Sequence, residues 1–178
     1  MSARVGNVGR ILFVALAVSV IGGLAAVPAV AGGGPPCTVT GTSGDDLLVG
    51  TSGPDVICGF AGSDHMRGFG GADVIRGGIG HDALLGGFGP DRLYGGDGND
   101  VLDGDAGGDF LDAGIGRDFL RGFAHADDLF GRRGRDCLYT IDNRGNDFAH
   151  GGRGIDEFDS DPGDTLVSAE QPGSCAGD

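Results

Sequence analysis

The chain has 178 residues, of which 40 are glycine and none is tryptophan, and its basic residues are 12 arginines. This composition excludes an ordinary globular core built from large side chains. Because 26 acidic residues give a net charge of −14, the surface repels nucleic acids and anionic membranes, and we expect neither as a partner.

The N-terminal segment is typical of a secretory signal peptide. Arg4 and Arg10 precede an apolar run over residues 11–30, and small residues end it, which predicts cleavage after Ala31. A transmembrane anchor is the alternative, but two glycines and a proline interrupt the run. Cleavage removes two arginines and no acid, so the net charge changes from −14 to −16. We expect a secreted, extracellular chain with no membrane insertion.

From Gly41 onward the sequence repeats every nine residues. Eleven units run to Tyr139, two residues interrupt them, and two more units end at Asp159. GGDGNDVLD, which begins at Gly95, is representative. Glycine occupies the first position in eleven of the thirteen units and the fourth in twelve, while Leu, Ile or Met occupies the eighth in eleven. This periodicity indicates stacked, nearly identical structural units.

The sixth position is aspartate in all thirteen units. These candidate metal ligands are Asp46, Asp55, Asp64, Asp73, Asp82, Asp91, Asp100, Asp109, Asp118, Asp127, Asp136, Asp147 and Asp156.

The units resemble the nonapeptide G-G-x-G-x-D-x-U-x of RTX, or haemolysin-type, calcium-binding proteins. The resemblance covers residues 41–159. It implies an all-β fold, a parallel β-roll (a β-solenoid) with two nonapeptides per coil. Six residues of each unit would form a calcium-binding turn and the last three a strand. Residues 32–40 and 160–178 would form an N-terminal cap segment and a C-terminal cap with a tail.

The residue types suit this implied fold. Glycine at positions one and four is expected to supply positive φ angles, and the eighth side chain is expected to point inward. Units two apart would stack, so Asp64, Asp82, Asp100 and Asp118 would form one ladder and Asp73, Asp91, Asp109 and Asp127 the other. Neighbouring carboxylates about 4.8 Å apart repel by about 1 kcal/mol or more. Several Ca²⁺ ions, each taking about six to eight oxygens, would remove that repulsion and couple binding to folding.

The candidate calcium sites are not expected to bind calcium equally well. Thirteen units allow at most six plus five sites between coils if the two-residue insertion at Thr140 and Ile141 keeps the register. His125 replaces a fourth-position glycine and Ala113 a first-position one, whereas variation at the second position is expected to be tolerated. Five C-terminal arginines either offset excess acid as a solvated face or contact a polyanion. They are Arg132, Arg133, Arg135, Arg144 and Arg153.

Four cysteines in a secreted chain are expected to be oxidised, and the sequence alone leaves three pairings open. In the implied roll, Cys37 and Cys137 would lie between five and six coils apart, far beyond disulfide reach. The resemblance therefore favours Cys37–Cys58 and Cys137–Cys175, one bridge at each end. Val39 would belong to a leading half-unit, and residues 163–166 to a shortened last unit.

No catalytic residues are expected. The four histidines occupy different repeat positions, and no hydrolase or phosphate-loop motif accompanies them. The first hypothesis is therefore a secreted calcium-binding protein and not an enzyme. A second is an adhesive or structural solenoid that binds a cell surface or polysaccharide, which an outward row of Thr or aromatic residues would support; positions seven and nine show no regular row. A third is a polysaccharide-modifying enzyme of the parallel β-helix type.

Overall fold

The computed structural model describes residues 35–142 and 146–167, and the regular structure in these residues is all strand. This part contains no helix long and apolar enough to cross a bilayer. The predicted signal peptide and its cleavage site lie outside the described residues. The strands are β1 (Val39–Thr40), β2 (Leu47–Val49), β3 (Val56–Ala61), β4 (His65–Gly70), β5 (Val74–Ile79), β6 (Ala83–Phe88), β7 (Arg92–Asp97), β8 (Val101–Ala106), β9 (Phe110–Gly116), β10 (Phe119–Arg121), β11 (Asp128–Gly134), β12 (Cys137–Tyr139), β13 (Phe148–Gly154), β14 (Glu157–Asp159) and β15 (Thr165–Val167).

The strands form two parallel sheets, and successive strands along the chain alternate between them. The odd-numbered strands form an eight-stranded sheet in the order β1-β3-β5-β7-β9-β11-β13-β15, and the even-numbered strands form a seven-stranded sheet. Partners in neighbouring strands are 18 residues apart, as in the pair Ile57 and Ile75. One coil is therefore two nonapeptides, and the predicted parallel β-roll is confirmed.

The eighth position of every unit forms the core, as predicted. All thirteen of these residues are buried, and they form a single cluster: Leu48, Ile57, Met66, Ile75, Leu84, Leu93, Leu102, Leu111, Leu120, Leu129, Leu138, Ala149 and Phe158. Each fully buried Leu or Ile stabilises the fold by about 1.5–3 kcal/mol relative to an exposed one. Ala149 and Phe158 belong to the same coil but to different sheets. In this coil a smaller core side chain than usual on one sheet therefore accompanies a larger one on the other.

Most strands are longer than the predicted three residues. Six-residue strands such as β3 continue from positions seven to nine into the first three positions of the next unit. Phe60 and Ala61, at positions two and three, pair with Gly78 and Ile79 one coil further on. The three-residue prediction was therefore too short, because the first half of each turn also joins the backbone ladder.

Positive φ angles occur at positions two and four, and the expectation for position one was wrong. In the representative unit Gly96 has φ = 120° and Gly98 has φ = 145°, whereas Gly95 lies outside this region. Several larger residues occupy the same conformation at position two, among them Phe60 at 79°, and His125 does so at position four, at 90°. Side chains are strained in this region, so second-position variation is tolerated at an energetic cost.

The insertion at Thr140 and Ile141 keeps the register. Across it the paired residues are 20 apart, as in Asp128 with Phe148. The shortened last unit is confirmed because β15 pairs with β13, and the leading half-unit is confirmed because Val39 pairs with Ile57.

A disulfide closes the N-terminal end of the roll. Cys37 and Cys58 are bonded, with Cα atoms 6.0 Å apart, as predicted. Cys137 is also disulfide-bonded, and its predicted partner Cys175 lies outside the described residues.

Candidate metal centre

Two columns of carboxylates run along the roll, one for each set of alternate turns. Each sixth-position aspartate precedes a strand, and from Asp46 to Asp147 its backbone N–H donates to Oδ1 of the aspartate one coil further on. The N–H of Asp82 lies 2.9 Å from Asp100 Oδ1, and the N–H of Asp91 lies 2.8 Å from Asp109 Oδ1. The predicted ladders are therefore present, and the insertion does not break them, since Asp127 donates to Asp147 at 2.8 Å.

The aspartates of both columns are buried, apart from Asp46 at the N-terminal end. Asp100 is 1% exposed and Asp64 is fully enclosed. A buried carboxylate is costly unless its charge and both of its oxygens are satisfied. The backbone N–H donates only to Oδ1, so the second oxygen, Oδ2, needs another partner.

In the middle of the roll that second oxygen, Oδ2, is buried and accepts no hydrogen bond. This is the case for Asp64, Asp73, Asp82, Asp91, Asp100, Asp109, Asp118, Asp127, Asp136 and Asp147. Buried polar atoms nearly always have a partner, so ten such oxygens in regular array require an explanation specific to the site.

Eight of these ten oxygens lie beside a first-position glycine, and in seven of those turns a backbone carbonyl lies close to the same point. A Cβ placed on Gly86 would lie 2.5 Å from Asp91 Oδ2 and 2.8 Å from the carbonyl oxygen of Gly104. A side chain would be crowded in these turns, which favours glycine at position one, although Ala113 and Asp142 occupy it in two units. Since both oxygens are acceptors, only a proton or a cation between them relieves their repulsion.

Burial raises the pKa of the central aspartates well above the ordinary value. It raises the pKa of Asp91 to about 6, of Asp100 to about 7 and of Asp127 to about 8, although the backbone N–H donors oppose the shift. Neighbouring aspartates in the same column add to the increase. Without a cation beside them, these carboxyls would therefore hold protons near neutral pH.

At both ends threonines supply the missing donors. Asp46 Oδ2 accepts hydrogen bonds from the Thr42 N–H at 2.7 Å and the Thr42 hydroxyl at 2.9 Å. Asp55 Oδ2 accepts the same pair from Thr51, at 2.6 and 2.9 Å. Burial alone would raise the pKa of Asp55, but the hydrogen bonds from Thr51 and from a second threonine hydroxyl outweigh it and lower that pKa.

The last coil contains a ligand-like aspartate absent from the predicted set. Asp164 Oδ1 accepts the N–H of Asp147 at 3.2 Å, and its Oδ2 accepts the Thr140 hydroxyl at 2.7 Å. The spacing Gly163-Asp164-Thr165-Leu166 marked a shortened unit, and its aspartate could have been added to the column on that signal. Thr140, half of the insertion, is buried and closes this end.

The oxygens suit a hard cation bound largely by backbone. Carboxylate and carbonyl oxygens are the ligands of Ca²⁺, which accepts six to eight of them in flexible geometry, whereas Mg²⁺ demands a stricter octahedron. No three His, Cys, Asp or Glu side chains of residues 35–142 and 146–167 converge as a metal cluster. A bound ion would therefore combine aspartate Oδ2 with turn carbonyls and not with a cage of side chains.

Comparison with known proteins agrees with this chemistry. The model of the RTX calcium-binding nonapeptide repeat (4 copies) matches residues 40–75, 59–84, 76–111, 103–136 and 141–166. No curated protein matches the chain significantly. The matched segments span most of the chain and coincide with the coils whose aspartates form the two columns. The chain therefore belongs to the family of RTX calcium-binding nonapeptide-repeat proteins.

Proposed function

We propose that this is a secreted protein that binds several Ca²⁺ ions between the stacked turns of its β-roll, and that binding is coupled to folding. The observation that carries the proposal is the array of ten buried Oδ2 atoms that accept no hydrogen bond within the described residues. In the turn where Asp91 and the Gly104 carbonyl were measured, two acceptors approach the same point. Calcium supplies the charge that this arrangement lacks.

We assign the ligands to the central coils. The proposed ligands are the ten aspartates from Asp64 to Asp147 in the two columns, each with turn carbonyls. Asp46 and Asp55, although in the predicted set, have threonine donors on Oδ2 and need no cation. The proposal assigns no catalytic role to these carboxylates, because their second oxygens are enclosed as ligands.

Coupling follows from the way in which each site is built. A turn aspartate and the carbonyl oxygens beside it come from successive coils, so no site exists in the unfolded chain. Without calcium the column of buried charges opposes stacking. The domain boundaries that we propose are a signal peptide over residues 1–31, an N-terminal cap segment over 32–40, the roll over 41–159, and a C-terminal cap and tail over 160–178.

Circular dichroism with calorimetric titration tests the proposal. The purified chain should gain β-structure as Ca²⁺ is added at pH 8 and lose it in excess EGTA, and calorimetry should detect several bound ions. Mg²⁺ at the same concentration is the control and should restore much less structure. A spectrum that EGTA does not change, with no heat of calcium binding, would contradict the proposal.

A further inference from the structure

The outer face of the odd-numbered sheet carries a row of aromatic rings, contrary to the expectation of no regular row at positions seven and nine. Ring centroids lie 5.9 Å apart for Tyr94 and Phe110, 5.2 Å for Phe110 and Phe130, and 5.7 Å for Phe130 and Phe148. His150 stacks on Phe130 at 6.3 Å. Neither position alone is regular, because the row alternates between position nine and position seven. Both positions face outward on one sheet, so the row appears only in the folded chain.

A shallow groove lies beside the C-terminal part of this row. One section, of about 690 Å³, is lined by Phe130, His150, Ile115, Arg132 and Arg133. An adjoining section, of about 460 Å³, shares Ile115 and Arg133 and adds Arg153. We call these two sections the arginine groove. Its size is in the range of pockets that hold small ligands or a short stretch of a polymer.

Two arginines of the groove have no acidic partner in the described residues. The third arginine of the groove, Arg132, forms an ion pair with Asp112, as Arg121 does with Asp103 on the other sheet. Arg133 and Arg153 are exposed and form no ion pair.

They are also direct partners in neighbouring parallel strands, with Ile115 on the other side of Arg133. Like charges directly opposite each other destabilise a sheet, so an anion in the groove would relieve this repulsion.

We propose that the arginine groove binds an anionic polysaccharide. Guanidinium groups pair with carboxylate or sulfate through two parallel hydrogen bonds. The apolar faces of sugar rings suit Ile115 and the exposed edges of Phe130 and His150. Three arginines line the groove and only Arg132 has an acidic partner, so the groove would attract an anionic polymer and hold it beside the aromatic row.

The inference concerns the folded roll and does not depend on which aspartates bind calcium. Dextran sulfate and carboxymethyl dextran, with neutral dextran as the reference, provide probes that share one backbone and differ only in charge. Binding is measured by calorimetry at low salt in excess Ca²⁺, after circular dichroism has shown that each variant is folded. The test variant is Arg133→Gln/Arg153→Gln. The matched control is Arg67→Gln/Arg76→Gln, which removes the same charge outside the groove.

We expect both charged dextrans to bind, neutral dextran not to bind, and binding to disappear at high salt. The Arg133→Gln/Arg153→Gln variant should bind about tenfold more weakly, as expected for two partly solvated ion pairs, while the control keeps the affinity of the parent chain. A preference for one charged dextran would identify the anionic group.

Equal loss in the two variants, equal binding of neutral dextran, or no binding at all would overturn the proposal. So would self-association, measured by sedimentation, that the Arg133→Gln/Arg153→Gln variant abolishes, because the groove would then belong to a second copy of the chain.

Discussion

The two ends of the roll and its middle use the same aspartate in different ways. At the ends Asp46, Asp55 and Asp164 each receive a threonine hydroxyl on Oδ2. In the middle the equivalent oxygen of ten aspartates accepts no hydrogen bond and faces a backbone carbonyl in the turn measured at Asp91. The sixth-position aspartate therefore has the same place in the fold in every unit. Hydrogen-bond donors near its Oδ2 atom determine whether the carboxylate needs a cation.

The pKa values follow the same division. The carboxyl of Asp55 has a lowered pKa because donors offset its burial, whereas burial raises the pKa of Asp100 to about 7. Asp55 is thus suited to hold its charge without metal. The middle must bind either a proton or a cation, and four predictions test this contrast.

The largest effect is expected from pH in the absence of calcium. The central aspartates have folded-state pKa values raised to between about 6 and about 8, above the ordinary value near 3.9 of the unfolded chain. The folded state therefore binds more protons, and stability is lost as the pH rises from about 4 through 8. In EGTA, the melting temperature should be higher at pH 5 than at pH 8.

With saturating Ca²⁺ the trend should reverse, because protons compete for the same oxygens and the affinity for calcium falls as the pH decreases. Thermal melts at both pH values, with and without Ca²⁺, provide the test. Parallel pH profiles under the two conditions would show that the central carboxylates do not exchange protons for ions.

A side chain placed in the cradle of the middle should cause the next largest effect. Gly86→Ala puts a Cβ 2.5 Å from Asp91 Oδ2 and 2.8 Å from a backbone carbonyl. We expect a loss of about 3 kcal/mol of stability in Ca²⁺, at the upper end for overpacking, measured by urea unfolding. Gly44→Ala, at a fourth position where nothing lies within 4 Å of the added atom, is the control for the loss of a glycine without crowding. Equal effects of the two substitutions would show that crowding in the cradle does not cause the loss.

When calcium is absent, neutralising one aspartate should stabilise the roll in its middle and destabilise it at its N-terminal end. Asp91→Asn removes a buried charge that has no donor on Oδ2, so it should increase the β-structure that remains in EGTA at pH 8 and lower the melting temperature in Ca²⁺. Asp55→Asn replaces a hydrogen-bonded carboxylate and should reduce both the β-structure in EGTA and the stability in Ca²⁺, the latter by about 1–2 kcal/mol. If both variants respond alike to EGTA, the proposed difference between the regions is wrong.

Removing one hydroxyl donor at the N-terminal end should have the smallest effect. Thr51→Val keeps the N–H that donates to Asp55 Oδ2 at 2.6 Å but removes the hydroxyl at 2.9 Å. We expect a loss of about 1 kcal/mol without a change in the number of Ca²⁺ ions bound. Thr40→Val, at an exposed strand position, is the control and should be nearly neutral. A new calcium site in the Thr51→Val protein would mean that calcium replaces the hydroxyl directly.

The nine-residue period and the resemblance to RTX repeats together predicted the columns, the core and the end units. The period identified the recurring residues, and the two-unit coil implied by the resemblance placed Asp100 beside Asp118 and Leu102 in the core. Thr42 and Thr51 escaped notice because they occupy a variable position and matter only through contact with Asp46 and Asp55.

Two other features depended on folding. The aromatic row crosses from one repeat position to another, so no single column of the sequence displays it. The role of the first-position glycine was assigned to backbone angle when it is space, since the approach of Oδ2 and a carbonyl from the next coil is a three-dimensional fact. Contacts between coils, and not the sequence within one unit, determine both the aromatic row and the role of the first-position glycine.

Amide hydrogen exchange with and without calcium at pH 8 tests the central claim most directly. The backbone amides of the central aspartates, each bonded to Oδ1 of the next coil, should be protected in Ca²⁺ and exchange at least about a hundredfold faster in EGTA, as expected if local opening becomes nearly free. The amides of Thr42 and Thr51, bonded to their own carboxylates, should lose the least protection. Central amides that stay equally protected in EGTA would contradict the account, because the buried oxygens would then be stable without any cation.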